Sequence, residues 1–394
     1  MPNTIMFVDD ERQILRALNR LFMESDYECV FMDSAEEALV YLENNQIDLI
    51  ISDIRMPGMN GFDFLRKVKE KYPTTMRVAL SGYTDNQVIY KALEENVAKM
   101  YIYKPWEDDE LEVIIDKMFQ LEEILKNKKI MDLINNLNEL PTIPNLYLKI
   151  KKMIQEDENV ENISKLIESD QASTAKILRI ANSAFYGAKT GSITQAIMYI
   201  GLTNVKSIVL SNALFHTSGK LEEIMNRIWI NATLTNRMTN HLYQKITKKK
   251  MPNIFASAGL LHNIGMVVLI SHFGELYSKI LELGIENINN FMELESSMLG
   301  ITHQELGGYL LNWWELPLPI VEAALYHHTP LDSRVINREL LCIVHIANAN
   351  AWRRMGEEFI VNENIEACCE FLKTSPEEID SFLAELTNIN PIID

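Results

Sequence analysis

The sequence predicts an α/β domain with a doubly wound, five-stranded parallel sheet, followed by an all-α domain. Within residues 1–105, five short apolar runs alternate with segments whose apolar residues recur at helical spacing. Apolar runs separated by helices are typical of parallel strands that are covered on both faces. The runs lie at residues 5–8, 29–31, 48–51, 77–80 and 100–103. Beyond residue 145 helical spacing continues, and strand patterns are almost absent.

The helical segments set the expected domain boundaries. In the first domain they lie at residues 14–22, 35–42, 62–68 and 88–93. In the second they lie at residues 163–168, 172–181, 193–201, 205–214, 224–244, 254–271, 302–314, 320–327 and 340–352. We place the first domain at residues 1–120 and the all-α domain at residues 136–390. A connector helix at residues 107–135 overlaps the last helix of the first domain.

The connector helix carries a single apolar stripe on an otherwise charged surface. The stripe consists of Leu111, Ile114, Ile115, Met118, Leu121 and Leu125. Its first half is expected to pack on the sheet, as the last helix of a doubly wound domain does. Two interpretations of its second half stay open. The stripe either packs against the chain's own domains or forms a dimer contact.

Composition and charge narrow the classes of partner. The chain has 37 Lys+Arg against 55 Asp+Glu, a net charge of −18, which disfavours binding to nucleic acid or to an anionic membrane. No uninterrupted apolar stretch reaches the roughly 18 residues of a membrane span. The N-terminus lacks a basic signal region, and the four cysteines include no Cys-X-X-Cys pair. We therefore expect a cytoplasmic protein.

Polar residues follow the predicted strands at the points where these end. Asp9 and Asp10 follow the first strand, Asp53 the third, Ser81 the fourth and Lys104 the fifth. The carboxyl ends of parallel strands share one edge of a sheet, so these side chains are expected to converge. Three converging carboxylates require a hard cation such as Mg²⁺. With a lysine and a hydroxyl nearby, the arrangement indicates phosphoryl transfer onto a carboxylate.

The motifs around these residues closely resemble those of the receiver domain of bacterial two-component response regulators, a flavodoxin-like fold. The resemblance covers about residues 3–120. The matching motifs are Val8-Asp9-Asp10-Glu11, Asp53 with Met56-Pro57-Gly58-Met59-Asn60-Gly61, Ser81-Gly82 and Tyr103-Lys104-Pro105-Trp106.

The resemblance to receiver domains implies the roles of the acidic residues. Asp53 would be the phospho-acceptor. Asp10, Asp53 and the backbone carbonyl of Arg55 would bind Mg²⁺, and Asp9 would assist through a water molecule.

The same resemblance implies which residues bind the phosphoryl group and which change position when it is present. Lys104 would pair with the phosphoryl group, and Ser81 and Tyr101 would occupy the switch positions. Tyr103 is the rival aromatic residue. Its distance in sequence from Lys104 favours Tyr101, which precedes the lysine by three residues.

Histidines on successive predicted helices dominate the second region. The most prominent are His262, followed by Asn263, then His303 and the pair His327-His328. These motifs resemble the HD superfamily of metal-dependent phosphohydrolases, and residues 131–390 look more like its non-catalytic relative, the HDOD domain. The HDOD resemblance rests on residues 140–144, 177–187, 192–197 and 200–202.

The second region departs from the HD enzymes at three metal-binding positions. The defining His-Asp pair is His262-Asn263, and amides also occupy the positions of a histidine, Asn231, and of an aspartate, Asn348. An amide binds a hard cation more weakly than a carboxylate does. We therefore expect no metal in this domain. The alternative is one Zn²⁺ or Ni²⁺ held by His262, His303 and either His327 or His328.

Together the two resemblances imply a response regulator that is phosphorylated on Asp53 by a sensor histidine kinase. It would relay the signal through a non-catalytic HDOD domain to a protein partner, for instance a diguanylate cyclase, or through homodimerisation. The alternative is a phosphorylation-gated HD phosphohydrolase that acts on a nucleotide or cyclic dinucleotide. A transcription factor is disfavoured by the acidic charge and by the lack of a basic helix-turn-helix.

Overall fold

The chain folds as two compact units, the first over residues 1–119 with 315–318 and the second over the remainder of residues 120–394. The computed structural model describes residues 2–82, 97–106, 108–125, 145–168, 173–174, 177–178, 181, 190–212, 220–252, 254–283, 288–314, 316–356 and 364–386. The predicted helix at 88–93, the motif at 140–144 and the connector beyond residue 125 lie outside these ranges.

The first unit is built on a five-stranded sheet in which every neighbouring pair of strands is parallel. Its strands are β1 (Thr4–Val8), β2 (Glu28–Met32), β3 (Leu49–Asp53), β4 (Met76–Gly82) and β5 (Met100–Lys104). The order β2-β1-β3-β4-β5 reverses direction at β1. In an open α/β sheet, this reversal opens a crevice beyond the carboxyl ends of the two strands that flank it, here β1 and β3. The predicted doubly wound sheet is confirmed.

The first unit has four helices in its described residues, and two of them begin at side-chain caps. The four helices are α1 (Arg12–Leu21), α2 (Ala35–Leu42), α3 (Gly61–Lys71) and α4 (Asp108–Leu125), and a 3₁₀ turn at Phe22–Glu24 follows α1. Ser34 accepts a hydrogen bond from the N–H of Glu37 at the start of α2, and Asn60 accepts one from Asp63 at the start of α3. These caps fix where each chain segment leaves the sheet edge and turns back over the sheet.

The apolar stripe of α4 is largely buried within the single chain. Leu111, Ile115, Met118 and Leu121 are all less than a tenth exposed, whereas Val113, off the stripe, is 49% exposed. This burial favours the interpretation in which the stripe packs within the chain's own fold. The side chain of Leu125 lies outside the described part.

The regular secondary structure in the described part of the second unit is helical, as predicted. Its helices are α5 (Asn145–Gln155), α6 (Val160–Glu168), α7 (Ile193–Ile200), α8 (Leu202–Asn212), α9 (Lys220–Thr247), α10 (Ala258–Leu261), α11 (Ile264–Leu283), α12 (Ile288–Leu299), α13 (His303–Trp313), α14 (Leu318–Tyr326), α15 (Arg338–Arg354), α16 (Ile365–Phe371) and α17 (Pro376–Ala384). The long α9 packs along α15 through a core that includes Met238, Leu242 and Ile346.

One predicted helix is divided in the structure. The sequence predicts a continuous helix at residues 254–271, but α10 ends at Leu261 and α11 begins at Ile264. The His262 ring hydrogen-bonds through Nδ1 to the carbonyl of Gly259 at 2.8 Å. A continuous helix would give that carbonyl to the N–H of Asn263, so the side chain competes with the helical bond.

A single helical stretch in the described residues, Ala258–Leu281, is long and apolar enough to cross a membrane. Half of its most apolar window is buried inside the fold, and Val267 and Leu269 are almost completely inaccessible to solvent. Core helices of this kind pass the same length and composition test, so the stretch is weak evidence for a membrane span.

The start of α11 lies against the start of α13 at backbone distance. A Cβ atom at Gly265 would stand 1.9 Å from the carbonyl oxygen of His303 and 2.7 Å from the nitrogen of Gly307. Only a residue without a side chain allows this approach. Gly265 therefore holds the N-terminus of α13, with His303, directly against α11.

We expect Gly265→Ala to destabilise the second unit. Alanine gains up to about 1 kcal/mol in helix propensity, but overpacking against rigid backbone costs roughly 1–3 kcal/mol or more. Faster amide hydrogen exchange across α11 and α13 in the full chain would show the net loss. Gly191→Ala is the matched control, since a Cβ there meets no atom within 4 Å. Equal exchange in the two variants would contradict the prediction.

Candidate functional site

Three aspartates meet at the carboxyl edge of the sheet. Asp9 follows β1 directly and Asp53 is the last residue of β3, while the register aligns Val8 of β1 with Ser52 of β3. One carboxylate oxygen from each of Asp9, Asp10 and Asp53 lies within 4.8 Å of the others. Asp9 is completely buried and Asp53 is 6% exposed. The structure thus brings together the acids that the sequence placed at strand ends.

Lys104, the last residue of β5, reaches across the sheet edge to two of these acids. Its Nζ lies 2.6 Å from Oδ2 of Asp9 and 2.8 Å from Oδ2 of Asp53. Burial raises the pKa of Asp9, and this effect outweighs its pairing with Lys104. Burial alone would lower the pKa of Lys104, but the hydrogen bonds to Asp53 and Asp9 together raise it. The lysine is thus held protonated as a counter-charge inside an acidic pocket.

Backbone contacts fix the orientation of the acids. The N–H of Glu11 donates to Oδ1 of Asp9 at 2.9 Å, and the N–H of Arg55 donates to Oδ1 of Asp53 at 3.3 Å. A Cβ atom at Gly61 would stand only 1.8 Å from the carbonyl oxygen of Asp53, so glycine lets α3 begin directly behind the acceptor. Such fixed carboxylates need little reorganisation to bind a cation.

The expected switch residues lie on the neighbouring strands. Ser81 is completely buried near the end of β4, where its hydroxyl donates to the carbonyl of Gly82 at 3.3 Å. The register pairs Ser81 with Tyr103, and pairs Tyr101 with Ala79. The Tyr101 ring is partly buried against the core and stacks edge-on with Tyr103, with 4.9 Å between ring centroids.

The pocket suits a hard divalent cation. Carboxylate oxygens are the ligands that Mg²⁺ prefers, and the three acids offer more negative charge than one lysine neutralises. Asp9, Asp10 and Asp53 are the side chains that would hold the ion. A bound cation would reduce their mutual repulsion and would allow an incoming phosphoryl group to approach.

A second cluster of functional side chains lies in the helical unit. His303, at the start of α13, places its Nε2 atom 3.3 Å from Nε2 of His327 and 3.2 Å from Nε2 of His328. Its other ring nitrogen, Nδ1, lies 2.7 Å from a carboxylate oxygen of Glu295. All three histidines are buried, so the structure brings together three of the four histidines that the sequence indicated.

The fourth, His262, borders the cluster, since its ring centroid lies 4.9 Å from that of His327. Burial lowers the pKa of His262 to about 4 against the weaker effects of the Gly259 carbonyl and the Asn348 amide. Asn231, Asn263 and Asn348 are buried too. Neither polar atom of the Asn231 side chain has a hydrogen-bond partner among the described residues.

The sequence analysis missed two residues of this cluster, Glu295 and Tyr277. Glu295 is completely buried, and its carboxylate accepts hydrogen bonds from the Tyr277 hydroxyl and from the backbone N–H of His303. The available signal was its position four residues after Phe291, on the buried face of α12. A glutamate on the apolar face of a helix is a polar group that needs a partner inside the fold.

Comparison with known families assigns both units. The response regulator receiver domain family matches residues 5–116, and the HDOD domain family matches residues 140–330. The chain joins a receiver domain to an HDOD domain. The combination predicted from the sequence motifs is therefore confirmed.

Individual relatives match parts of the chain. The hydrogenase transcriptional regulatory protein HoxA of Cupriavidus necator is 26% identical over 216 residues, 55% of this chain and 42% of HoxA. The heme response regulator HssR of Staphylococcus saprophyticus is 31% identical over 147 residues, 37% of this chain and 59% of HssR. The chain thus spans less than two thirds of the length of these curated relatives.

The solved structures include a match to the HDOD part of the chain. An HDOD domain protein of unknown function from Geobacter sulfurreducens is 24% identical, with a TM-score of 0.52, and the alignment covers 68% of this chain and 96% of that protein. At this identity the likeness supports the fold of the second unit.

We expect Lys104→Met to destabilise the receiver domain in the absence of Mg²⁺. Removing one partner of a buried ion pair leaves an uncompensated charge, at a cost of about 3 kcal/mol. Hydrogen exchange of β1 and β3 in the full chain measures the change. Added Mg²⁺ is expected to restore part of the protection. Lys67→Met, at an exposed position of α3, is the control. Unchanged protection in Lys104→Met would contradict the electrostatic role given to Lys104.

Proposed function

We propose that this chain is the response regulator of a two-component phosphorelay, in which a sensor histidine kinase phosphorylates Asp53. The observation that carries the proposal is the surroundings of Asp53. Its carboxylate lies at the sheet edge within 4.8 Å of those of Asp9 and Asp10, and 2.8 Å from the Lys104 ammonium. A carboxylate between a cation site and a lysine is suited to receive a phosphoryl group.

In the proposed transfer, an oxygen of Asp53 forms a bond to phosphorus as the phosphorus–nitrogen bond of a phosphohistidine breaks. Mg²⁺ in the acidic pocket would neutralise charge on the phosphoryl oxygens. Asp10 would help to hold the ion, and Asp9 would assist. The ammonium of Lys104, which now donates to Asp53, would donate to a phosphoryl oxygen. The ammonium of Lys104 would thus pair with the negative charge of the phosphoryl group instead of that of the Asp53 carboxylate.

The proposed switch involves the residues beside the pocket. The Ser81 hydroxyl would exchange its 3.3 Å bond to the Gly82 carbonyl for a bond to the phosphoryl group. A shift of Ser81 would change the surroundings of the aromatic pair beside it. The register sets Ser81 opposite Tyr103, and the Tyr103 ring stacks edge-on with the half-buried ring of Tyr101. Movement of one aromatic ring between two packed positions would be a two-state change, and a binding partner could distinguish the two states.

The output we propose is protein–protein interaction through a non-catalytic HDOD domain. Asn231, Asn263 and Asn348 stand where HD enzymes would carry metal ligands, and amides supply no negative charge to hold a pair of divalent metals. A signalling enzyme such as a diguanylate cyclase is the partner class we favour, with self-association as a second form of output. The cytoplasm is the expected location.

We expect acetyl phosphate with Mg²⁺ to label the full chain on Asp53. The label should be base-labile, as an acyl phosphate is, and Asp53→Asn should abolish it. Chelation of the metal should abolish it as well, because the carboxylates would repel the incoming group. Asp33→Asn is the control, since Asp33 pairs with Arg12 at the surface. Retention of full labelling in Asp53→Asn would refute the assignment.

The alternative, an HD phosphohydrolase, is tested by turnover. With Mn²⁺ or Fe²⁺, we expect hydrolysis of cyclic dinucleotides and nucleotides to stay below about 1 s⁻¹. Any activity observed is assigned with His262→Ala, which removes a buried ring of the cluster, against His272→Ala, an exposed histidine of α11. Faster turnover that only His262→Ala abolishes would establish the enzyme instead.

A further inference from the structure

The loop between β3 and α3 helps to orient the acceptor carboxylate. It follows Asp53 directly and runs through residues 54–60. The N–H of Ile54 donates to the carbonyl of Leu80 at 3.0 Å, which ties the start of the loop to β4. The N–H of Arg55 donates to Oδ1 of Asp53 at 3.3 Å. The shape of this loop therefore affects the direction in which the Asp53 carboxylate points.

The far end of the loop is held by a carboxylate on a different helix. Oε1 of Glu36, in the first turn of α2, accepts a hydrogen bond from the N–H of Met59 at 3.1 Å. The same oxygen would stand 3.1 Å from a Cβ atom at Gly58, whose φ of +74° lies in the left-handed region. Glycine adopts this turn without strain and leaves room for the carboxylate beside it. The loop and the Glu36 side chain thus fit against each other.

Glu36 extends from a rigid support. Ser34 caps the start of α2, and Ala35 and Ala38 are buried in a core that α2 shares with α3. In the sheet, β1 lies between β2 and β3, and α2 and α3 follow these two flanking strands. The contact between Glu36 and Met59 therefore links the two connections that leave the sheet on either side of β1, the strand that ends at the acidic pair.

We propose that Glu36 is a positioning residue for the phosphoryl transfer, which holds the β3–α3 loop in the shape that cation binding requires. The inference rests on the proposed function, in which the Arg55 carbonyl would bind Mg²⁺ together with Asp10 and Asp53. A loop that is already ordered loses less conformational entropy when an ion binds. Glu36 acts through the backbone of Met59 and does not have to touch the ion.

Two simpler roles for Glu36 depend on its charge. An acidic residue in the first turn of a helix is favoured by the helix dipole. A negative charge at this edge of the sheet would also attract a cation at long range. The proposed role depends instead on an oxygen that accepts the Met59 N–H. Glutamine keeps such an oxygen without the charge, and alanine removes both, so the two substitutions separate these roles.

The first test measures Mg²⁺ affinity by titration calorimetry of the full, unphosphorylated chain. Glu36→Ala should weaken binding about 10-fold, as for other groups that orient metal ligands, whereas Glu36→Gln should stay close to the wild type. Glu37→Ala is the matched control, since Glu37 is an exposed acid in the same turn of α2. Asp10→Asn should abolish the titration, which assigns the signal to the acidic pocket. Equal weakening by alanine and glutamine at position 36, or weakening by neither, would overturn the role.

The second test separates positioning from a general loss of stability. The rate at which acetyl phosphate labels Asp53 is measured against Mg²⁺ concentration. In Glu36→Ala the concentration for half-maximal rate should rise about 10-fold, and the rate at saturating Mg²⁺ should match that of the wild type. A lower rate at every Mg²⁺ concentration would show that the substitution damages the domain, and would overturn the positioning role.

The two experiments also distinguish failure of this role from failure of the proposed function. A wild-type chain that binds no Mg²⁺ would refute both. A wild-type chain that binds Mg²⁺ but is not labelled would refute the phosphorelay function, while the calorimetric comparison would still decide the role of Glu36. Binding and labelling that are both insensitive to Glu36→Ala would refute the role of Glu36 alone.

Discussion

Mutual repulsion among Asp9, Asp10 and Asp53 is the constraint around which the receiver domain is arranged. Their oxygens lie within 4.8 Å of one another, and Asp9 has no contact with solvent. Folding therefore places the buried Asp9 and Asp53 next to the partly exposed Asp10, where water screens the repulsion only weakly. Lys104, at the end of the edge strand β5, offsets part of this cost through short ion pairs with Asp9 and Asp53. The remaining negative charge would attract a cation.

The sheet topology makes this arrangement possible. β1 and β3 are neighbours, and each is buried along nearly its whole length, so the first polar side chains emerge together at the shared carboxyl edge. The crossover that brings β5 beside β4 supplies the lysine from 51 residues beyond Asp53. A parallel sheet thus assembles charges from distant parts of the sequence at one edge, and the apolar strands hold them in register.

Much of the receiver site was predictable because most of its functional residues lie at or just after the end of a strand that is visible as an apolar run. The convergence of Lys104 on the aspartates was predictable for the same reason, because Lys104 is the last residue of β5. The histidine cluster is different, since helices do not deliver side chains to a common edge, and the partners of His303 depend on how α12, α13 and α14 pack. Glu295 lies in no recognised motif and became evident only through its contact with His303. The break between α10 and α11 likewise depends on one side-chain contact, which helical periodicity does not encode.

The acidic pocket and the histidine cluster differ in the chemistry of the groups they present. The receiver pocket offers carboxylate oxygens with net negative charge, and the helical unit offers neutral imidazole nitrogens behind a buried carboxylate. A divalent ion at the first site would be held mainly by charge, and a phosphoryl group on Asp53 would change that charge. The rings of the second cluster are already oriented by neighbouring groups, the Glu295 carboxylate for His303 and the Ala324 carbonyl for His327. The concentrated charge of the first arrangement suits a reversible signal, whereas the oriented and buried rings of the second suit a fixed packing of helices.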